Sequence, residues 1–155
     1  MKKMIIAAAA FIAAIAFVSC DRYEDGRPSK DVRSEFARMY PDAFDVEWEW
    51  DGMNWDVSFE TGKRPNGTEK EAWYDADGNW LRTTTDMMLS AVPQNIKDYL
   101  AADPVYGTSP IADNEVEFIE TPSGNFYRFE LSVEGRRVEV DVNVNGEVTF
   151  AKYDF

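Results

Sequence analysis

Apolar and polar residues alternate through FDVEWEW (44–50) and again through WDVSF (55–59). Phe44, Val46, Trp48 and Trp50 fall on one side of the first run, with Glu47 and Glu49 on the other. Trp55, Val57 and Phe59 oppose Asp56 and Ser58 in the second. A period of two marks a strand with one dry face and one wet face. Between the runs lies Asp51-Gly52, a dipeptide suited to tight hairpin turns. Closed as a two-residue turn, it pairs Trp50 with Met53, Trp48 with Trp55, Val46 with Val57 and Phe44 with Phe59. All eight then face a core.

Similar turn pairs recur at 77–78, 123–124 and 145–146, each between runs rich in Val, Phe, Tyr and Trp. A helical pattern precedes each group of strands. In SKDVRSEFARMYP, Val32, Phe36 and Met39 have helical spacing, Ser29 is placed to cap the start and Pro41 to stop the end. In VPQNIKDYLAADP, Pro93 suits a first turn, Ile96, Tyr99 and Leu100 form the apolar side, and Pro104 lies just beyond. The chain therefore reads α-β-β-β-β twice. EAWYDADGNWL (71–81) also aligns without a gap on EVDVNVNGEVT (139–149), as an internal duplication would. The expected fold is α+β: two tandem halves, about 32–85 and 86–155, forming one curved antiparallel sheet with helices packed on one face.

Register carries this to individual residues. A loop at 121–124 pairs Phe118 with Tyr127, and a turn at Glu134-Gly135 pairs Leu131 with Val138. A three-residue loop ending in a left-handed Gly146 pairs Val142 with Val148. Carried back by the repeat, that loop turns Tyr74 and Trp80 inward, and Trp73 and Leu81 outward. Trp73 aligns with Asp141, and a core position would not hold Trp in one copy and Asp in the other. The outward face then displays Glu47, Glu49, Asp56, Glu71, Trp73, Asp75 and Leu81, followed by Glu115, Glu117, Ile119, Arg128, Glu130, Arg137, Glu139 and Asp141. Arg128 falls in one row with Glu117 and Asp141 and should neutralise them.

Charge and the N-terminus narrow the setting. The formal net charge is −13, with 29 acidic residues against 16 basic ones. Such acidity repels phosphates and excludes a nucleic-acid partner. The start MKKMIIAAAAFIAAIAFVSC has a basic n-region and an apolar run shorter than a membrane span, which together read as a secretory signal over 1–19. Its end, Phe17-Val18-Ser19-Cys20, resembles the lipobox of bacterial lipoproteins, with Cys20, the sole cysteine, as the lipidated residue. Residues 20–31 then read as a flexible tether and 32–155 as one domain. The protein is expected to be exported and lipid-anchored in the cell envelope, periplasmic or on the cell surface. Its membrane contact would be the lipid alone.

Catalytic chemistry is hard to find. There is no histidine, which removes the usual nucleophile activation and the commonest zinc ligand. No phosphate-binding glycine loop appears. With 29 acidic residues, a glycosidase-like carboxylate pair carries no specificity. Asp75-Ala76-Asp77-Gly78-Asn79 half-resembles a calcium loop, but its glycine comes too early and no closing Glu follows. The run reads as a hairpin turn, and no metal or cofactor is expected.

The lipoprotein-like start, FARMYPDAFDVEWEWDGMNWDVSF, EAWYDADGNWL and the Val-Pro helix together resemble the PepSY-like, beta-lactamase-inhibitor-like family of secreted bacterial proteins. The resemblance implies the tandem fold above and no catalytic residues. Inhibitor relatives grip an enzyme on the concave sheet face, so it also implies a protein or peptide partner in the envelope. Candidate contact residues are Trp73, Leu81, Glu47, Glu49, Asp56, Arg128 and Arg137. A large ring in a polar field is a common interface anchor, and an acidic rim steers toward a basic partner. Two functions stay open: a binding module, acting as an inhibitor or otherwise, and a structural or accessory envelope lipoprotein. Sugar binding with Trp73 as a stacking platform is a third.

Overall fold

A computed structural model describes residues 22–23 and 26–151. Cys20 and the expected signal segment lie outside the described residues. Ser29 caps the first helix, α1 (Lys30–Met39), where its Oγ accepts a hydrogen bond from the Val32 N–H at 3.3 Å. That bond satisfies one of the donors a helix start leaves open. Val32 and Phe36, one turn apart, are buried. The second helix, α2 (Gln94–Ala102), starts after Pro93 and buries Ile96 and Leu100. Tyr99, expected on the apolar side, is partly exposed. It packs sideways against Gly146, where a Cβ would come within 2.9 Å of the ring.

The remaining elements form one sheet in sequence order: β1 (Arg22–Tyr23), β2 (Phe44–Trp50), β3 (Trp55–Lys63), β4 (Asn66–Tyr74), β5 (Trp80–Met88), β6 (Glu115–Thr121), β7 (Gly124–Val133), β8 (Arg136–Asn143) and β9 (Val148–Phe150). β2 to β9 are antiparallel throughout. β1 pairs in parallel with Glu47 and Trp48, and Pro28 is buried. The segment read as a flexible tether is thus partly built into the sheet edge.

Both helices lie on the same face. Ala72, in the cluster under α1, pairs with Thr83. On that strand Thr85 pairs with Phe118, and Met87 with Val116 in the cluster under α2. Cross-strand partners share a face, so the two clusters do too. The first cluster holds Trp48, Phe59 and Tyr74 around Phe36, and the second holds Phe129, Leu131, Val140 and Val142 around Ile96.

The first hairpin departs from the two-residue turn. Trp50 pairs with Trp55 and Trp48 with Val57, so Asp51–Asn54 form the loop. Asp51 Oδ1 accepts from the N–H groups of both Met53 and Asn54, at 2.7 and 2.5 Å, and this side-chain closure favours the longer loop. A two-residue slip keeps every side chain on its face. The tryptophan face is therefore as expected, except that Met53 is 75% exposed in the loop. Phe44 also departs. A bulge after it, with Asp45 at φ 51°, pairs Phe44 with Glu60 and turns it to the other face. There it lies over Gly67, where a Cβ would come within 2.7 Å of the ring, and under Arg64, whose Cζ is 4.5 Å from the ring centroid.

The later registers match expectation. Phe118 pairs with Tyr127, Leu131 with Val138, and Val142 with Val148, and Gly146 has φ 90°. The 75–79 and 143–147 loops share one hydrogen-bond scheme. Asp75 Oδ1 accepts from the N–H groups of Asp77 and Asn79, and Asn143 Oδ1 accepts from those of Asn145 and Glu147. The carboxylate that half-resembles a calcium ligand is thus engaged with its own turn.

Candidate functional site

Side chains that point away from the helices form rows across the strands. Glu49, Asp56 and Trp73 share one row. Glu47, Ser58, Glu71, Thr84, Ile119 and Phe126 share the next. Asp86, Glu117, Arg128 and Asp141 share a third. Trp73 is therefore on the open face, as the repeat implied, but its partner is Arg82 and not Leu81. A bulge after the Tyr74–Trp80 pair sets two residues of β5 against one of β4. Leu81 and Arg82 both end up on the open face.

These residues enclose a groove of about 790 Å³. Trp73, Leu81, Arg82, Ile119, Phe126 and Arg128 line it from the sheet. Met53 lines it from the 51–54 loop, and Pro122 from the β6–β7 turn. Ile119 is only 1% exposed although it lies on the open face, so it is the floor. The Arg82 guanidinium carbon lies 3.7 Å from the Trp73 ring centroid, so one face of that ring is occupied. A sugar would have to displace Arg82 to stack there.

Of the residues singled out from sequence, Trp73, Leu81 and Arg128 meet in the groove. Glu47, Glu49 and Asp56 lie on the same face outside its lining, and Arg137 pairs with Glu130. Phe126, Arg82 and Met53 were not foreseen as contributors. The Phe118–Tyr127 register already implied Phe126 opposite Ile119, so that residue was within reach. Arg82 was not, because nothing in the sequence marks the bulge at Leu81.

Charge on the open face is arranged closely. Arg128 Nε donates to Asp141 Oδ1 at 2.8 Å and Nη2 donates to Oδ2 at 3.1 Å, a bidentate fork, with Glu139 at 3.6 Å. Burial pushes the Glu117 carboxyl above its usual range, while Arg128 pulls it back. Asp56 is the most perturbed acid: burial first, then Glu71 and Glu49, push it up to about 8, against Arg82. Its Oδ1 is buried without a hydrogen-bond partner. Among the described residues no group of three or more His, Cys, Asp or Glu could hold a metal ion.

Asp56 gives a pH prediction. Its folded pKa is raised above the unfolded value, so its contribution is fully present below about pH 4 and is lost as pH rises through about 8. The melting temperature should fall between pH 5 and pH 9, and Asp56→Asn should fall less over the same range. Parallel curves for the two proteins would refute the assignment.

The family model described as "Putative beta-lactamase-inhibitor-like, PepSY-like" matches residues 53–150, from the first hairpin loop to the last strand. The chain belongs to this family. Solved structures have the same fold. A BLIP-like protein from Bacteroides fragilis aligns with a TM-score of 0.67 at 23% identity, covering 80% of this chain and 84% of that one. A DUF2874 family protein from Bacteroides ovatus gives 0.64 at 21% identity, over 81% and 89%. A "putative periplasmic" protein from Bacteroides eggerthii gives 0.61 at 20% identity, over 79% and 86%. No curated protein matches the chain. At these identities the likeness to solved structures carries the fold alone. The PepSY-like chain has no helix, among its described residues, long and apolar enough to cross a membrane.

Proposed function

We propose that this PepSY-like chain is an exported, non-catalytic binding module of the cell envelope, anchored by a lipid on Cys20, that holds a protein or peptide on its open sheet face. The observation that carries the reading is the groove, where Trp73, Leu81, Ile119 and Phe126 form an apolar surface within an otherwise charged face. Apolar patches rimmed by polar groups mark interaction sites, and rings set in such patches anchor partners. The inhibitor-like family description and the periplasmic description of one structural neighbour support both the kind of function and the compartment. Inhibition of an enzyme is the specific form that the family description suggests.

A photo-reactive residue placed at Leu81 in the native envelope tests the reading. It should trap a discrete protein or peptide adduct that the same residue at exposed Ala37, on α1, does not. Equal trapping at both positions, or none at Leu81, would sink it. The anchor is tested separately: Cys20→Ser should move the protein from the detergent fraction to the soluble one or leave it unprocessed. Membrane attachment that persists together with normal removal of the signal would remove lipidation from the account.

A further inference from the structure

The groove does not stand alone on its face. At Arg128 it opens into a shallow trough lined by Asp86, Glu115, Glu117, Glu130 and Glu139. A second hollow, reaching Glu69, Lys70 and Glu71, shares Asp86 and Glu117 with that trough; the Lys70 ammonium is turned to Thr85. The two hollows measure about 180 and 170 Å³, room for a side chain each but not for a folded element. Among the described residues that line the trough, Arg128 is the cation, already engaged by Asp141 and Glu139, while Arg137 pairs with Glu130 at its edge. The open face thus has an apolar end and an acidic end. The spacing between them is set by the strand. Ile119, the groove floor, and Glu117, in the trough, are two residues apart on β6. Two residues of strand span about 7 Å, which is also the distance between side chains i and i+2 of any extended peptide.

Building on the reading of this face as a binding surface, we propose that its occupant is an extended basic segment laid along β6. One large apolar side chain of that segment fills the groove, and a Lys or Arg two residues away enters the acidic trough. The net charge of −13 would draw such a segment in and would repel an acidic one carrying the same apolar anchor. An aromatic anchor suits the groove, because Trp73 and Phe126 offer ring surface, and Leu81 an aliphatic side chain, around Ile119.

The test uses the full chain in detergent and three synthetic heptapeptides read by fluorescence anisotropy. One has a central Trp flanked by Lys two residues to either side, one has Glu in place of Lys, and one has Gly in place of Trp. The lysine–tryptophan peptide should bind at least tenfold more tightly than either of the others. Raising salt from 50 to 500 mM should weaken it severalfold. Leu81→Asp should weaken it tenfold or more. Met53→Asp, in an exposed loop, repeats that test where folding is not at stake. Glu117→Gln should weaken it and reduce its salt dependence. Equal or tighter binding of the glutamate peptide would overturn the proposal, as would indifference to the central Trp or to both groove variants. If no peptide binds while Leu81 still traps a partner in the envelope, this inference fails and the binding-module reading stands. If neither occurs, both fail.

Discussion

Trp48→Ala should cost about 3–5 kcal/mol, the range for deleting a large core aromatic. Trp48 is 1% exposed. Its ring meets Phe36 edge-on with centroids 5.2 Å apart and Tyr74 at 6.3 Å, so it bridges α1 to β4. A domain of this size has only about 5–15 kcal/mol to lose, so the variant should melt far lower or fail to fold. Its indole Nε1 is buried without a hydrogen-bond partner. Trp48→Phe gives up volume but also removes that orphan donor, so it should cost less than half as much. Trp55 lines the same face next to the loop but is only partly buried, so Trp55→Ala should fall well below Trp48→Ala. Urea unfolding of the three variants checks the order. A Trp48→Ala protein within about 0.5 kcal/mol of wild type, the range of exposed substitutions, would mean that the α1 cluster is not the core of its half.

What the sequence made legible follows from which signals have a fixed period. Alternation over 44–59 and 126–142 identified the dry face, because a strand's side-chain period is two whatever its partner does. Helix caps were legible at Ser29 because the hydroxyl and the N–H it serves are three residues apart. Where loop length had to be inferred, outcome depended on side-chain chemistry. Gly146 forced the three-residue loop and was readable. Asp51 instead closed a four-residue loop through its own carboxylate, which Asp-Gly alone does not announce. Bulges were the blind spot. Those at Asp45 and Leu81 change which residues face outward, and they delivered Phe44 and Arg82 to the open face. The groove owes its Arg82–Trp73 stack to such a bulge. Trp73 and Leu81 were legible as outward residues, but the groove as an enclosure was not.

Arg128→Ala should cost about 3 kcal/mol at pH 8. The side chain is 9% exposed and its Asp141 partner 13% exposed, so the fork is largely out of water. Removing one partner of a buried pair typically costs about 3–5 kcal/mol, because the other charge is left without compensation. The partial exposure of Glu139 puts this site at the low end. Glu117, Glu139 and Asp141 would then crowd together without Arg128, and the Glu117 carboxyl, already pushed up by burial, would lose the charge that pulls it back. A raised folded pKa means stability that is present at low pH and lost as pH rises, so the penalty should be larger at pH 8 than at pH 4.5. Arg128→Ala combined with Asp141→Ala should cost less than the sum of the two alone, with a coupling of about 1–3 kcal/mol. Arg128→Met keeps the packing over Phe126, whose centroid lies 5.9 Å from the guanidinium, and separates loss of charge from loss of contact. If Arg128→Ala costs under about 0.5 kcal/mol at pH 8, or adds simply to Asp141→Ala, the row is solvated. Arg128 would then serve a partner's charge more than its own sheet.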